Sequence, residues 1–217
     1  MDAQISRLHH PVSVLGPGRR AGIWFQGCGI RCPGCVSVDT WRPDPGSTVS
    51  VAAVLDWLRS LAGSEVDGVT ISGGEPTDQP DALAELMRGL AGWRAERPSG
   101  LREPDVLVYT GREPDWVRGD GARLLAGADA VVAGPYDAAR AGTAALRGSD
   151  NQELITLTPL GARRYADADR LPRAAVQVEV SDGAVWMIGI PLPGDLAAVR
   201  QAVTDRGVHL RGPSWQT

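Results

Sequence analysis

Three cysteines fall within eight residues, as Cys28-Gly-Ile-Arg-Cys32-Pro-Gly-Cys35, and the chain has no others. Three thiolates at C-x3-C-x2-C spacing can wrap one face of a cubane iron–sulfur cluster. Such a set leaves one iron without a protein ligand, and an open coordination position makes a metal reactive, as it does at catalytic zinc. The competing reading is structural zinc, with a fourth ligand from His9, His10 or His209. Zinc usually takes cysteines in two separated C-x2-C pairs, and there is no second pair.

A second group follows one β/α unit later. Gly73-Gly74-Glu75-Pro76 closes an apolar run. Its two glycines let backbone come close to a ligand, and Glu75 offers a carboxylate that can pair with an ammonium group. Alone, such a turn is a common loop. Placed just after the cysteine loop, it gains weight.

These residues need elements to hold them. Short apolar runs alternate with amphipathic stretches, the pattern of an α/β protein with a parallel sheet. Strands are predicted at Ile23–Gln26, leading into the cysteine loop, at Gly68–Ser72, leading into Gly73, and at Val106–Tyr109, Ala130–Ala133 and Leu154–Leu157. Val51, Val54, Leu55, Leu58 and Leu61 recur at helical spacing behind a capping Ser50. Leu83, Leu86, Met87 and Leu90 mark a second helix starting near Pro80. The tail differs in texture. Val176–Val180 and Val185–Ile190, joined by Ser181-Asp182-Gly183, read as a hairpin, and a short helix capped by Asp195 carries Leu196, Val199 and Val203 up to Gly207.

Composition narrows the function classes. The 217 residues carry a formal charge of −4, so no basic surface invites nucleic acid or acidic membrane lipid. All 22 basic side chains are Arg, which excludes lysine-base and Schiff-base chemistry. The N-terminal stretch lacks the apolar core of a secretory signal, and no run approaches the roughly 20 apolar residues of a membrane span. The expected location is the cytoplasm, where thiols stay reduced and an odd, packed set of cysteines points to a metal centre.

The motifs resemble those of the radical S-adenosylmethionine superfamily and, within it, of the activating proteins of anaerobic ribonucleoside-triphosphate reductase. The matching residues are Gly16 to Arg19, Gln26 to Cys35, Thr40-Trp41, Ser72 to Pro76, Tyr109-Thr110-Gly111, Gly134-Pro135-Tyr136, Arg147-Gly148-Ser149 and Asn151-Gln152. The likeness runs roughly from residue 14 to residue 157. It implies a partial (β/α) barrel whose strand ends carry a [4Fe–4S] cluster on Cys28, Cys32 and Cys35 beside S-adenosylmethionine. Gly73, Gly74 and Glu75 would hold the methionyl amino group, with Thr110 and Asn151 lining the site. The alternative for Asn151 and Gln152 is a plain turn before a strand. Many superfamily members carry an aromatic residue just before the third cysteine, to contact adenine. Gly34 stands there in this chain, and Trp41 is a substitute candidate. Residues 1–160 would form the core and 161–217 an extension packed on the same domain, absent from the shortest activating proteins.

The resemblance implies reductive cleavage of S-adenosylmethionine to a 5′-deoxyadenosyl radical. This radical would take hydrogen from a glycine of a glycyl-radical enzyme, with flavodoxin or ferredoxin as electron donor. The alternatives are the same machinery acting on a small molecule or peptide, and a non-catalytic iron–sulfur or zinc module. With all three thiols in one loop, a single cluster is expected.

Overall fold

The computed structural model describes residues 1–61, 65–98, 101–168, 176–181, 184–192 and 194–208. Seven strands, β1 (Asp2–Val12), β2 (Arg20–Phe25), β3 (Thr48–Ser50), β4 (Gly68–Gly73), β5 (Asp105–Thr110), β6 (Ala130–Ala133) and β7 (Glu153–Thr156), form one sheet in the order β3-β1-β2-β4-β5-β6-β7. The four central strands β2, β4, β5 and β6 are parallel to one another and step across the sheet in chain order. All four therefore end at the same edge, the edge where open parallel sheets bind ligands.

Period-two alternation assigns the faces. Ile23, Phe25, Val69, Ile71, Val106, Val108, Val131 and Ala133 point to one side and pack in a single core with α1 (Val51–Ser60) and α2 (Pro80–Ala95). Trp24, Leu107, Tyr109 and Val132 point to the other side. Burial on both faces explains why these strands read as nearly continuous apolar runs. The α1 helix starts where expected: the Ser50 hydroxyl accepts the Ala53 amide at 3.1 Å, and Val51, Val54, Leu55 and Leu58 are buried on one stripe. In α2, Pro80 occupies the first turn, and Leu83, Leu86, Met87 and Leu90 face the core. Two short helices follow, α3 (Pro114–Arg118) and α4 (Pro159–Arg164).

The parallel sheet foreseen has antiparallel edges. β7 runs against β6, and β1, not anticipated from the sequence, runs against both β2 and β3. At the edge opposite the strand C-termini, the fully buried Arg20 guanidinium forks onto Asp105 at 2.8 and 3.0 Å and donates to Thr70 at 2.6 Å. The Tyr165 hydroxyl also donates to Asp105. Burial costs both ions hydration, and the bidentate geometry with extra hydrogen bonds offsets that cost.

The tail contains the antiparallel hairpin β8 (Gln177–Ser181) and β9 (Ala184–Ile188), and then α5 (Asp195–Thr204). The expected hairpin turn falls on residues 182–183, outside the described residues. Asp195 does not cap α5. Gly194, at φ 98°, is the N-cap, and the Asp195 carboxylate turns back to accept the Leu192 amide at 2.7 Å.

Candidate functional site

The loops after β2, β4, β5 and β6 meet around a cavity of about 680 Å3. All three cysteines line it, as do Gly73, Gly74, Glu75, Thr110 and Trp41. Asn151 is not on the lining, whereas its neighbour Gln152 is.

The cysteine loop is tied at both ends. The Gly27 and Cys28 amides donate to the carbonyls of Thr40 and Trp41 at 2.8 and 3.0 Å. The buried Gln26 side chain donates to the carbonyls of Asp39 and Arg42. The middle of the loop is held by Asp78, whose carboxylate accepts the Gly29 amide at 2.6 Å and pairs with Arg112 at 2.8 Å.

The Gly73–Gly74 pair joins this loop to β4. The Gly74 amide donates to Phe25 O and the Glu75 amide to Gly27 O, both at 2.8 Å. A Cβ on Gly74 would sit 2.1 Å from the Gly27 carbonyl oxygen, and one on Gly73 would sit 2.3 Å from that of Phe25. The glycines thus permit close approach of the chain to its own backbone, where the sequence suggested approach to a ligand. Glu75 is 1% exposed and accepts four donors: the Thr77 amide and hydroxyl and the Thr110 hydroxyl on Oε1, and the Gly111 amide on Oε2 at 2.8 Å. Oε2 keeps accepting capacity toward the cavity.

Asn151 donates to Pro135 O at 2.7 Å, and its own buried amide oxygen has no partner. Gln152 donates to Gly134 O and accepts the Gly148 amide, so the pair stitches two loops together. Tyr136, which enters the sequence reading only as part of the Gly134-Pro135-Tyr136 match, takes a definite place here. Gly34 is left-handed at φ 81°, and a Cβ there would lie 3.0 Å from Ala138 and 3.6 Å from the Tyr136 ring. A Cβ on Gly148, on another loop, would meet the same ring at 3.0 Å. A side chain just before the third cysteine would therefore be strained in its backbone and tight against Ala138, and Tyr136, arriving from the end of β6, occupies that neighbourhood. Trp41 lines the cavity together with Cys35, and its side chain partly offsets the effect of burial on that thiol.

Burial pushes the Cys32 and Cys35 thiols above their ordinary range, with backbone hydrogen bonds from Tyr136 and Ser37 as partial offsets. Iron binding at these sulfurs must therefore displace protons. Among the described residues, no three His, Cys, Asp or Glu side chains are grouped closely enough to hold a single metal ion. The histidines of the zinc alternative are engaged elsewhere, His9 with Glu179 at 3.5 Å and His10 with the Glu65 carbonyl at 3.1 Å, while His209 lies outside the described residues. Three free thiols spread round one cavity suit a cubane, whose irons stand apart at its corners. The open side of Glu75 supplies an acceptor for a polar cofactor; of the two, only Glu75 is on the cavity lining, and the unpartnered Asn151 oxygen is buried away from it.

Fold and site together define an α/β protein that carries an iron–sulfur cluster on a loop at the C-terminal ends of parallel strands. A family model described as a 4Fe-4S single cluster domain matches residues 14–155. The anaerobic ribonucleoside-triphosphate reductase-activating protein of Enterobacteria phage T4 is 28% identical over 145 residues, 67% of this chain and 88% of that protein. Its namesake from Escherichia coli (strain K12) is 30% identical over 110 residues, 49% of this chain and 68% of that protein. The pyruvate formate-lyase-activating enzyme of Clostridium pasteurianum is 37% identical over 78 residues, 35% of this chain and 33% of that enzyme. The chain belongs to the 4Fe-4S single cluster domain family, among the radical S-adenosylmethionine activating proteins, and its cofactors are a [4Fe–4S] cluster and S-adenosylmethionine. No helix among the described residues is long and apolar enough to cross a membrane.

Proposed function

We propose that this protein is an activase that removes a hydrogen atom from a glycine Cα of a partner glycyl-radical enzyme. The observation that carries the reading is the convergence of Cys28, Cys32 and Cys35 with Gly73–Glu75 and Thr110 on one cavity at the strand ends. The names of the relatives, which activate an anaerobic reductase or pyruvate formate-lyase, support the same kind of partner.

In this reading Cys28, Cys32 and Cys35 hold the cluster. The free side of Glu75 and the Gly73–Gly74 backbone hold the methionyl amino group of S-adenosylmethionine. Bound there, the cofactor pair supplies one-electron cleavage of the sulfonium and a hydrogen-abstracting 5′-deoxyadenosyl radical. The chain's own task is placement. Thr110 and Thr77 fix the rotamer of Glu75, and Asp78 with Arg112 pins the cysteine loop against it. Tyr136 offers the adenine its ring in place of the aromatic residue missing before Cys35. Trp41 steadies Cys35, and Asn151 holds the Pro135 loop that carries Tyr136.

The finer points of architecture belong to the same proposal. Helices α1 and α2 pack on one face of the sheet while the central strands step in a single direction, which favours a partial (β/α) barrel over a doubly wound sheet. Residues 1–160 then form the core and 161–217 an extension of the same domain. The setting is a reducing cytoplasm, with a flavodoxin or ferredoxin as electron donor.

A second reading keeps the machinery and changes the substrate to a small molecule or peptide. It is favoured by one observation, the apolar wall that the tail adds to the cavity. Anaerobic reconstitution followed by reduction, with and without a glycyl-radical enzyme encoded nearby, separates the readings. A brown protein that forms 5′-deoxyadenosine and leaves a glycyl radical signal on the partner is the expected result. A colourless protein holding one zinc and forming no 5′-deoxyadenosine overturns both.

A further inference from the structure

The family match ends at residue 155, yet the hairpin and α5 beyond it line a large part of the cavity. Trp186 on β9 sets its ring edge-on to Trp24 of β2, with centroids 5.0 Å apart, and edge-on to His9 of β1 at 5.2 Å. Ile188 is buried against Val12, Leu15 and Trp24. Ile190, Pro191 and Leu196 continue the apolar wall. Gln177 fastens β8 to the end of β1 and the residue that follows it, donating to Pro11 O at 2.9 Å and accepting the Ser13 amide at 3.2 Å.

The charges are divided between the two sides. Glu75 and Asp39, the carboxylates of the lining, belong to the strand ends and the cysteine loop. Arg7 is the sole cationic residue among the described lining residues, and its guanidinium lies 4.7 Å over the Trp186 ring. Among the described residues no carboxylate pairs with it. A cation stacked on an indole and bordered by apolar side chains suits a flat apolar group that bears an anion.

We propose that the tail builds a substrate chamber against the core, in which the Trp24–Trp186 wall takes an aromatic group and Arg7 takes an adjacent carboxylate. On the activase reading, on which the physiological occupant rests, that group is an aromatic side chain next to an acidic residue on the partner's glycine-bearing loop. The chamber itself does not depend on that reading. A free aromatic acid offers the same chemistry from a second source.

The probe is 1-anilinonaphthalene-8-sulfonate, an apolar ring system with one anion, measured by equilibrium dialysis against the full-length reconstituted protein. One site per chain is expected. Trp186→Ala should weaken binding at least tenfold and Trp186→Phe only slightly. Arg7→Gln should weaken it severalfold and flatten its salt dependence, while iron content stays the same in all three. Arg7 is exposed, so its variant remains informative if Trp186→Ala fails to fold. Several weak sites, or one indifferent to both Trp186→Ala and Arg7→Gln, would overturn the chamber. Competition then identifies the source. Displacement by a glycine peptide with aromatic and acidic neighbours supports the partner loop. Displacement only by free aromatic acids keeps the chamber and sinks the activase reading. Displacement by neither overturns the assigned ligand chemistry.

Discussion

Glu75 is a joint between loops as well as a group facing the cavity, because four donors of its own chain converge on it. Glu75→Ala would strand those donors in a buried place, where each unsatisfied one costs roughly 1–3 kcal/mol. The variant should therefore lose on the order of 3 kcal/mol of stability, read as a lower Tm of the cluster-free protein. Its affinity for S-adenosylmethionine should also fall, by roughly ten- to hundredfold, with the loss of one charged hydrogen bond. An unchanged Tm would mean the four bonds contribute nothing. The sequence made the carboxylate legible but not its load, since Thr110 and Gly111 come from a strand 35 residues away that only the sheet order brings near. Tyr136 was visible as part of the Gly134-Pro135-Tyr136 match, but its place beside Gly34 was not, because it requires β6 to end next to the cysteine loop. Tyr136→Ala should keep full iron content and bind S-adenosylmethionine more weakly by severalfold, and Tyr136→Phe should restore the affinity. Equal binding by the Ala variant would remove the ring from the adenine site.

At the scale of elements, the β4 end and the cysteine loop form one unit through backbone alone. Gly74→Ala places a methyl 2.1 Å from the Gly27 carbonyl, with no side chain that could yield. Backbone must move, which typically costs about 1–3 kcal/mol and displaces the loop that carries Cys28. Iron loading should fall together with Tm. Gly92→Ala is the control: exposed in α2, with nothing within 4 Å of the added methyl, it should stabilise by about 0.5–1 kcal/mol and leave iron loading intact. A Gly74→Ala protein with full iron would show the junction to be slack. Helices α1 and α2 were legible because their apolar residues repeat at i, i+3, i+4 and i+7, and the parallel strands because both of their faces are buried. β1 was not legible. Its register with β2 shifts between Ile5 and Arg7 and again between His9 and Val12, so irregular pairing erases the alternation that would betray a strand.

Across the whole molecule, the two ends of the sheet do different work. The N-terminal ends of the central strands are closed by the buried Arg20–Asp105 pair, and the C-terminal ends open into the cavity that holds every thiol of the chain. That concentration limits the chemistry. Once Cys28, Cys32 and Cys35 bind one cluster, no thiol is left to anchor a second or to donate hydrogen to a substrate radical. Reactions that need an auxiliary cluster as electron acceptor are then closed, as are epimerisations quenched by a cysteine S–H. Hydrogen abstraction that leaves a stable radical on a partner stays open, which agrees with the activase reading. Tyr109 is the residue that could loosen this argument, since it lines the cavity and its buried hydroxyl has no partner. Its phenol is held protonated by burial, well above the ordinary tyrosine range, so it enters as O–H and not as phenolate. Iron should saturate at about four per chain, the content of one [4Fe–4S] centre. Each single Cys→Ala variant should lose the cluster's paramagnetic signal entirely. About eight irons per chain, or a second signal that survives Cys28→Ala, would reopen the reactions excluded above and place cluster ligands among residues other than the three cysteines.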